Sequence, residues 1–281
     1  LILRAGQDQN NTIIRNELLE DLCLEYSDSV PTQRSRYCVL YVNGEYRGIY
    51  TLMEKVDKQH YASLMGVSRE SVTVMKAWAN PGTEYYETVI RFAEDNDLTA
   101  PEAYARFCEL VDIDNLIDWM IIEGYSANTD LAKSNLRYAR SSEGDGKWRY
   151  MLYDMDATLT IPANIFRNVL TPSSTQSAEF ITQLTNNAEF RDRFLRRAAE
   201  VLSTTLSNEN VDARIAEMTA QIAPEVARDF ALRRMSYAQW EAAVAQLRAA
   251  ITEKDWRGRC VAAIGQYMHL SDAEMREYFS A

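Results

Sequence analysis

Apolar positions fall into two regimes along the chain. Up to about Thr160, β-rich runs are interleaved with helical repeats, and beyond it nearly every apolar repeat has helical spacing. Residues 1–4 predict a short strand that reads as the middle of one, so the chain is expected to be an excised piece of a longer protein. Asn10, Asn11 and Thr12 offer N-cap oxygens to a helix whose apolar stripe, Ile14, Leu18 and Leu22, runs to about Tyr26. Pro31 closes the loop that follows. The clearest local signal spans residues 37–53, where two β-rich runs flank Asn43-Gly44. That dipeptide accepts positive φ at both turn positions and predicts a tight hairpin.

From Tyr61 the pattern is irregular, with one short apolar run, Val72-Thr73-Val74-Met75. Helical spacing resumes over 85–93 and 101–111, with Pro101 suited to a first helical turn. Residues 114–125 predict a buried helix with Leu116, Ile117, Met120 and Ile121 on one side. Residues 136–139 and 148–153 read as strands flanking a Gly-containing turn. Helices are then expected over 187–202, 211–222, 225–234, 237–251 and 255–268. The fold class implied is α+β: a small sheet-containing N-terminal part, residues 1–55, and a larger mainly helical part, residues 56–281, with no internal repeat.

Composition narrows the function. The 281 residues carry 30 Lys and Arg against 41 Asp and Glu, a net charge of −11, so nothing concentrates positive charge along a phosphate track and nucleic acid is not an expected partner. No run of about 18 apolar residues occurs, and no membrane span is expected. Gly and Pro number only 10 and 6, about half of average usage, which disfavours disorder and turn-rich sandwiches. Cys23, Cys38, Cys108 and Cys260 lack Cys-x-x-Cys spacing and have only His60 and His269 beside them. They read as small buried hydrophobes rather than a zinc site. The aromatic set Tyr85, Tyr86, Trp119, Tyr125, Trp148, Tyr150 and Tyr153 reads as core. Arg191, Arg193, Arg196 and Arg197 alternate with acids and read as a solvated helix face.

Chemistry concentrates in two loops that the 136–153 hairpin would bring together. One runs from Asn128 through Asp130 and Lys133 to Asn135; the other holds Asp154 and Asp156. An Asp, an Asn five residues on, a hairpin and another Asp is the set that phosphoryl transfer from ATP requires. The first carboxylate orients the acceptor hydroxyl, and the amide and the later carboxylate hold Mg²⁺ on the phosphates. The usual His-Arg before the catalytic Asp is replaced by Asn128-Thr129, which departs from ordinary eukaryotic-type kinases. The simpler alternative is that Asp130, Asn135 and Asp154 only cap turns. Two carboxylates as close as Asp154 and Asp156 nonetheless favour a bridging cation. Residues 151–160 also resemble the first motif of haloacid-dehalogenase-type phosphatases, but that fold needs alternating strands and helices afterwards, and the pattern after Thr160 is helical.

Taken together, these stretches resemble the CotH family, the spore-coat-protein-H-like atypical protein kinases. The resemblance rests on residues 3–8, 13–17, 41–50 with Glu54-Lys55, 128–135 and 148–156, and on a helical tail that includes Glu189-Phe190-Arg191. It implies a two-lobed protein-kinase-like fold that transfers the γ-phosphoryl of ATP to Ser or Thr of proteins with Mg²⁺ or Mn²⁺. Asp130 becomes the catalytic residue, and Asn135, Asp154 and Asp156 become metal ligands. Arg4, paired with Glu17 or Glu20, becomes a phosphate contact. Residues 52–55, including Met53, Glu54 and Lys55, become the interlobe hinge facing adenine. The family also contains exported and cell-surface proteins, so the resemblance leaves open a non-catalytic surface or adhesion module and suggests an exported location.

Overall fold

The computed structural model describes residues 1–6, 11–76, 82–131, 135–171 and 178–280. Its architecture is α+β, with twelve α-helices and two three-stranded antiparallel sheets among the described residues. In the first sheet β3 (Glu45–Met53) lies between β1 (Ile2–Arg4) and β2 (Ser35–Val42). Asn43 and Gly44 turn the hairpin with φ of 52° and 81°, the positive pair that this dipeptide favours. The β2–β3 register shifts between Leu40 and Tyr41, opposite Gly48. Gly48 takes φ 108°, and a Cβ there would stand 2.2 Å from Oδ1 of Asp229, so only glycine fits. That oxygen accepts the Ile49 N–H at 2.8 Å, tying the hairpin to α9 (Asn208–Leu232), 180 residues away.

In the second sheet β5 (Arg137–Ser141) lies between β4 (Val72–Lys76) and β6 (Arg149–Met151), with both pairings antiparallel. The apolar run at residues 72–75 is therefore a strand, and the 136–153 hairpin forms as expected. The phosphatase alternative required a parallel sheet around Met151. Here β6 is antiparallel to its neighbour, and beyond it the described elements are helices. That alternative is set aside.

α1 (Arg15–Tyr26) buries Ile14, Leu18 and Leu22, the stripe that its spacing predicts. The expected side-chain cap is absent among the described residues. Asn11 and Ile13 both take φ of 63°, so the chain turns sharply and leaves Ile14 at the N-cap, while Asn10 lies outside the described residues. The irregular stretch near Tyr61 is α2 (Lys58–Met65), which Asp57 caps by accepting two backbone N–H groups. A π-helical turn, Tyr86–Ile90, leads into α3 (Arg91–Asp95), followed by α4 (Pro101–Leu110) and α5 (Ile113–Ser126). Every residue of α5 except Asp114 is buried, so it runs through the centre of the molecule.

After Thr160 come the short α6 (Arg167–Leu170), α7 (Ala178–Asn186), α8 (Ala188–Ser203), α9, α10 (Tyr237–Ile251), α11 (Trp256–Tyr267) and α12 (Asp272–Phe279). The two helices expected over 211–222 and 225–234 are the single α9, with Pro224 inside it. Pro224 removes one ladder hydrogen bond. The buried stripe Met218, Ile222, Val226 and Phe230 nonetheless stays in phase across it, and that packing holds the helix together. Three of the four arginines read as solvated instead tie α8 to its neighbours. Arg193 bonds Asp114, Arg197 bonds Asp118 and the Tyr26 carbonyl, and Arg191 bonds the Met268 carbonyl and Glu274; Arg196 hydrogen-bonds Asp192 of its own helix. Of the expected aromatic core, Tyr85, Trp119, Tyr125, Trp148 and Tyr150 are buried while Tyr86 and Tyr153 are half-buried; Tyr85 lies against Tyr138 at 4.0 Å and Trp119 against Tyr150 at 4.6 Å between ring centres. The main buried apolar core runs from Ile13 to Met268, with Cys23 and Cys260 as free thiols inside it, and a smaller cluster joins Tyr61, Ala62, Val72, Ala139 and Met151.

Candidate active site

The Asp154 segment is fixed from three directions. As the chain leaves β6, the Leu152 N–H donates to the Pro31 carbonyl at 3.0 Å. Asp154 then takes φ 60°, a left-handed conformation that Asp tolerates better than most residues. Next, the Met155 N–H donates to Asn16 Oδ1 at 2.9 Å. The same Asn16 oxygen accepts Arg4 Nη1 at 3.2 Å. The other arm of Arg4, Nη2, donates to both Asp154 Oδ1 and Asp156 Oδ2, the latter at 2.5 Å. The end of β1, the first turn of α1 and the segment after β6 thus meet on one guanidinium. Asp156 is more enclosed than Asp154, with side-chain exposures of 10% and 31%.

Electrostatics agree with the geometry. Burial alone would lower the Arg4 pKa, but the charges of Asp154 and Asp156, the Asp154 hydrogen bond and the more distant Glu17 raise it above the ordinary arginine value. Glu17, one of the two expected acidic partners, is 1% exposed on α1 and its charge acts on Arg4. Glu20, the other expected partner, accepts the Gln33 N–H at 2.8 Å, and burial raises its pKa well above that of an ordinary glutamate.

The Asp130 loop is docked onto the same segment. α5 ends at Ser126, and Ala127 follows with φ 52°. Asn128 is buried; its Oδ1 accepts the Asp130 N–H at 3.0 Å, and its Nδ2 donates to Glu123 Oε2 at 3.1 Å. Thr129 donates both its backbone N–H and its hydroxyl to the Ala157 carbonyl, each at 3.1 Å. The Leu159 N–H donates to the Ser126 carbonyl at 2.7 Å. These bonds lay residues 126–130 alongside residues 154–159, with Asp130 half-buried at the margin. Asn135 is buried, with Nδ2 at 3.5 Å from the Asp154 carbonyl. Lys133 lies outside the described residues.

Among the described residues no three His, Cys, Asp or Glu side chains form a metal cage. The carboxylates of Asp154 and Asp156 and the amide of Asn135 are hard oxygen donors of the kind Mg²⁺ takes. The Arg4 nitrogen between the two carboxylates marks a position where positive charge is favoured. The residues therefore fit a small divalent cation. Of the hinge residues, Met53 is buried at the end of β3 opposite Ile2. The contacts of Glu54 and Lys55 are local: Glu54 accepts the Arg34 N–H at 2.9 Å, and the Lys55 ammonium stands 3.6 Å from Asp57.

Reading the sequence alone missed Asn16, Asn128 and Glu123 as organisers of the site. Asn16 and Asn128 lay inside stretches already singled out, next to the charged residues that drew attention. Glu123 left a clear signal, a carboxylate inside the most apolar helix of the chain. No curated protein matches the sequence. The family model described as CotH kinase protein matches residues 1–256 of the 281, and the chain belongs to the CotH family.

Proposed function

We propose that the chain is a protein kinase that transfers the γ-phosphoryl group of ATP to Ser or Thr hydroxyls of proteins, with Mg²⁺ or Mn²⁺ as the metal and an exported or cell-surface location. The observation that carries this reading is the docking of the Asp130 loop on the Asp154–Asp156 segment through Thr129 and Ala157. Phosphoryl transfer needs a hydroxyl-orienting carboxylate beside the metal ligands but separate from them. Asp154, Asp156 and Asn135 would hold the cation, which when bound neutralises charge on the phosphates. Asp130 orients the acceptor hydroxyl and takes its proton late in the transfer. Arg4, held at Nη1 by Asn16, turns its other arm from the carboxylates to a phosphate oxygen, with Glu17 fixing its position. Residues 52–55 would face the adenine.

A second reading, binding without catalysis, is favoured by one observation: Arg4 already bridges both carboxylates where a metal would stand. Incubation with labelled ATP and Mg²⁺ or Mn²⁺ separates the two. A kinase incorporates label, and Asp130→Asn lowers incorporation by about 10²-fold or more while keeping affinity for an ATP analogue. Transfer by Asp130→Asn at the wild-type rate would remove Asp130 from the mechanism. Absence of label together with tight binding of a protein partner would support the adhesion module.

A further inference from the structure

The first residue of α1 opens onto a different cavity, of about 240 Å³, between residues 159–162, α10 and α11. Arg15, Lys254 and Arg259 line it, and no carboxylate does. Arg15 is only 5% exposed, and its Nη1 donates to the Thr158 carbonyl at 2.5 Å while its Nε has no hydrogen-bond partner. Burial, unopposed by any neighbouring acid, pulls its pKa down to about 10. Arg259 donates its Nε to the Lys254 backbone carbonyl at 2.8 Å, and its charge also acts on Asp255 nearby. Among the described residues none of the three forms an ion pair, although the chain carries a net charge of −11. A buried guanidinium without a counter-charge is costly, and an anion entering the cavity relieves that cost.

The remaining wall is apolar, with Leu247 and Trp256 buried and Pro162 at the rim. A bare inorganic anion would use the cations and leave this wall idle, whereas an organic phosphate uses both. We propose that this pocket binds a small phosphate monoester, with its phosphoryl oxygens on Arg15, Lys254 and Arg259 and its ester carbon against Leu247 and Trp256. Such a ligand bears on the active-site cluster through two short links. Arg15 holds the Thr158 carbonyl, two residues past Asp156, and the adjacent Asn16 holds both Arg4 and the Met155 N–H. Binding therefore steadies the segment that carries Asp154 and Asp156. The proposal does not depend on the kinase reading, because occupancy is measured without ATP.

Calorimetric titration of the full chain at low salt with O-phosphothreonine and, separately, with inorganic phosphate provides the test. Phosphothreonine should bind saturably and severalfold more tightly than phosphate. The double variant Lys254→Ala/Arg259→Ala removes two exposed side chains, so it should keep the wild-type melting temperature without ligand. It should weaken phosphothreonine binding by about tenfold or more, since each charge-assisted hydrogen bond to a phosphoryl oxygen is worth about that factor. Equal affinity in the variant, no saturation by phosphothreonine in the wild type, or phosphate binding as tight as the ester would overturn the proposal.

Discussion

Replacing Glu123 by Gln should change how stability depends on pH, and the direction follows from where the carboxyl sits. Glu123 is 2% exposed on α5, with Oε2 accepting Asn128 Nδ2 and Oε1 lacking any hydrogen-bond partner. Burial raises its pKa from an ordinary 4.5 to about 8, opposed only by the Asn128 hydrogen bond. Glu20, also buried and also shifted upward, is close enough to interact with it, as is the Cys23 thiol. Below pH 4.5 the folded and unfolded chains both hold the Glu123 proton, so the group costs nothing. Between 4.5 and about 8 the unfolded chain releases a proton that the folded chain keeps, and stability falls as pH rises. Above 8 the loss is complete. Each pH unit in that window is worth about 1.4 kcal/mol, so the full loss is about 5 kcal/mol.

Glu123→Gln is nearly isosteric, stays neutral at every pH and still offers Asn128 a carbonyl acceptor. Urea unfolding followed by circular dichroism, run on both proteins from pH 4.5 to 9, measures the difference. The variant should match the wild type near pH 4.5, gain about 1.4 kcal/mol per pH unit relative to it, and level off above pH 8. Taking the difference between the two proteins cancels the titrating groups that do not interact with Glu123; Glu20 and Cys23, which its charge pushes upward, are relieved of that push in the variant, which adds to its gain at high pH. Parallel profiles, or a variant that is less stable at pH 8, would refute the assignment of Glu123 as a buried neutral carboxyl.

Asp154→Ala should abolish the rise in melting temperature that Mg²⁺ with an ATP analogue produces in the wild type; an unchanged shift would show that the metal ligand is elsewhere. Arg4→Ala leaves Asp154 and Asp156 facing each other without their shared cation, so its melting temperature without metal should fall and Mg²⁺ alone should restore more of it than in the wild type. A metal response equal to that of the wild type would separate Arg4 from the metal position. Gly48→Ala forces a Cβ onto Asp229 at a φ that side chains rarely adopt, and should cost about 3 kcal/mol in urea unfolding. A cost under 1 kcal/mol would show that the hairpin moves freely over α9.

What the sequence showed well was local. The Asn43-Gly44 hairpin carries its own turn chemistry, and α5 carries an unbroken apolar pattern, so each could be read without reference to the rest. The misreadings occur where distant contacts decide the outcome. Pro224 looks like a break between helices until the stripe from Met218 to Phe230 finds a core to bury against. α2 buries little beyond His60, Tyr61 and Ala62 and therefore leaves almost no periodic signal. The α8 arginines alternate with acids exactly as a solvated face would, and only the fold shows that their partners sit on α5 and α12. For the site, the charged residues were visible because a readable hairpin ties the Asp130–Asn135 loop to the Asp154–Asp156 pair. Their supports were not, because Asn16 and Asn128 act through backbone groups that leave no pattern in side-chain identity.

Those supports also explain how one arginine can face two carboxylates that a metal would claim. Arg4 is anchored at Nη1 by Asn16, on the same oxygen that holds the Met155 N–H, so that arm and the Asp154 segment move as one body. Only the Nη2 arm meets the carboxylates. A divalent cation arriving between Asp154 and Asp156 therefore has to displace two hydrogen bonds and leaves the anchored one in place. The displaced arm then carries a full positive charge next to the new cation, and repulsion between them is relieved when an anion comes between the two. On the kinase reading, a nucleotide phosphate would supply that anion. Metal and phosphate should accordingly bind with positive coupling, each poorly alone, and the source of that coupling is a contact already made by residues 150 positions apart in the chain.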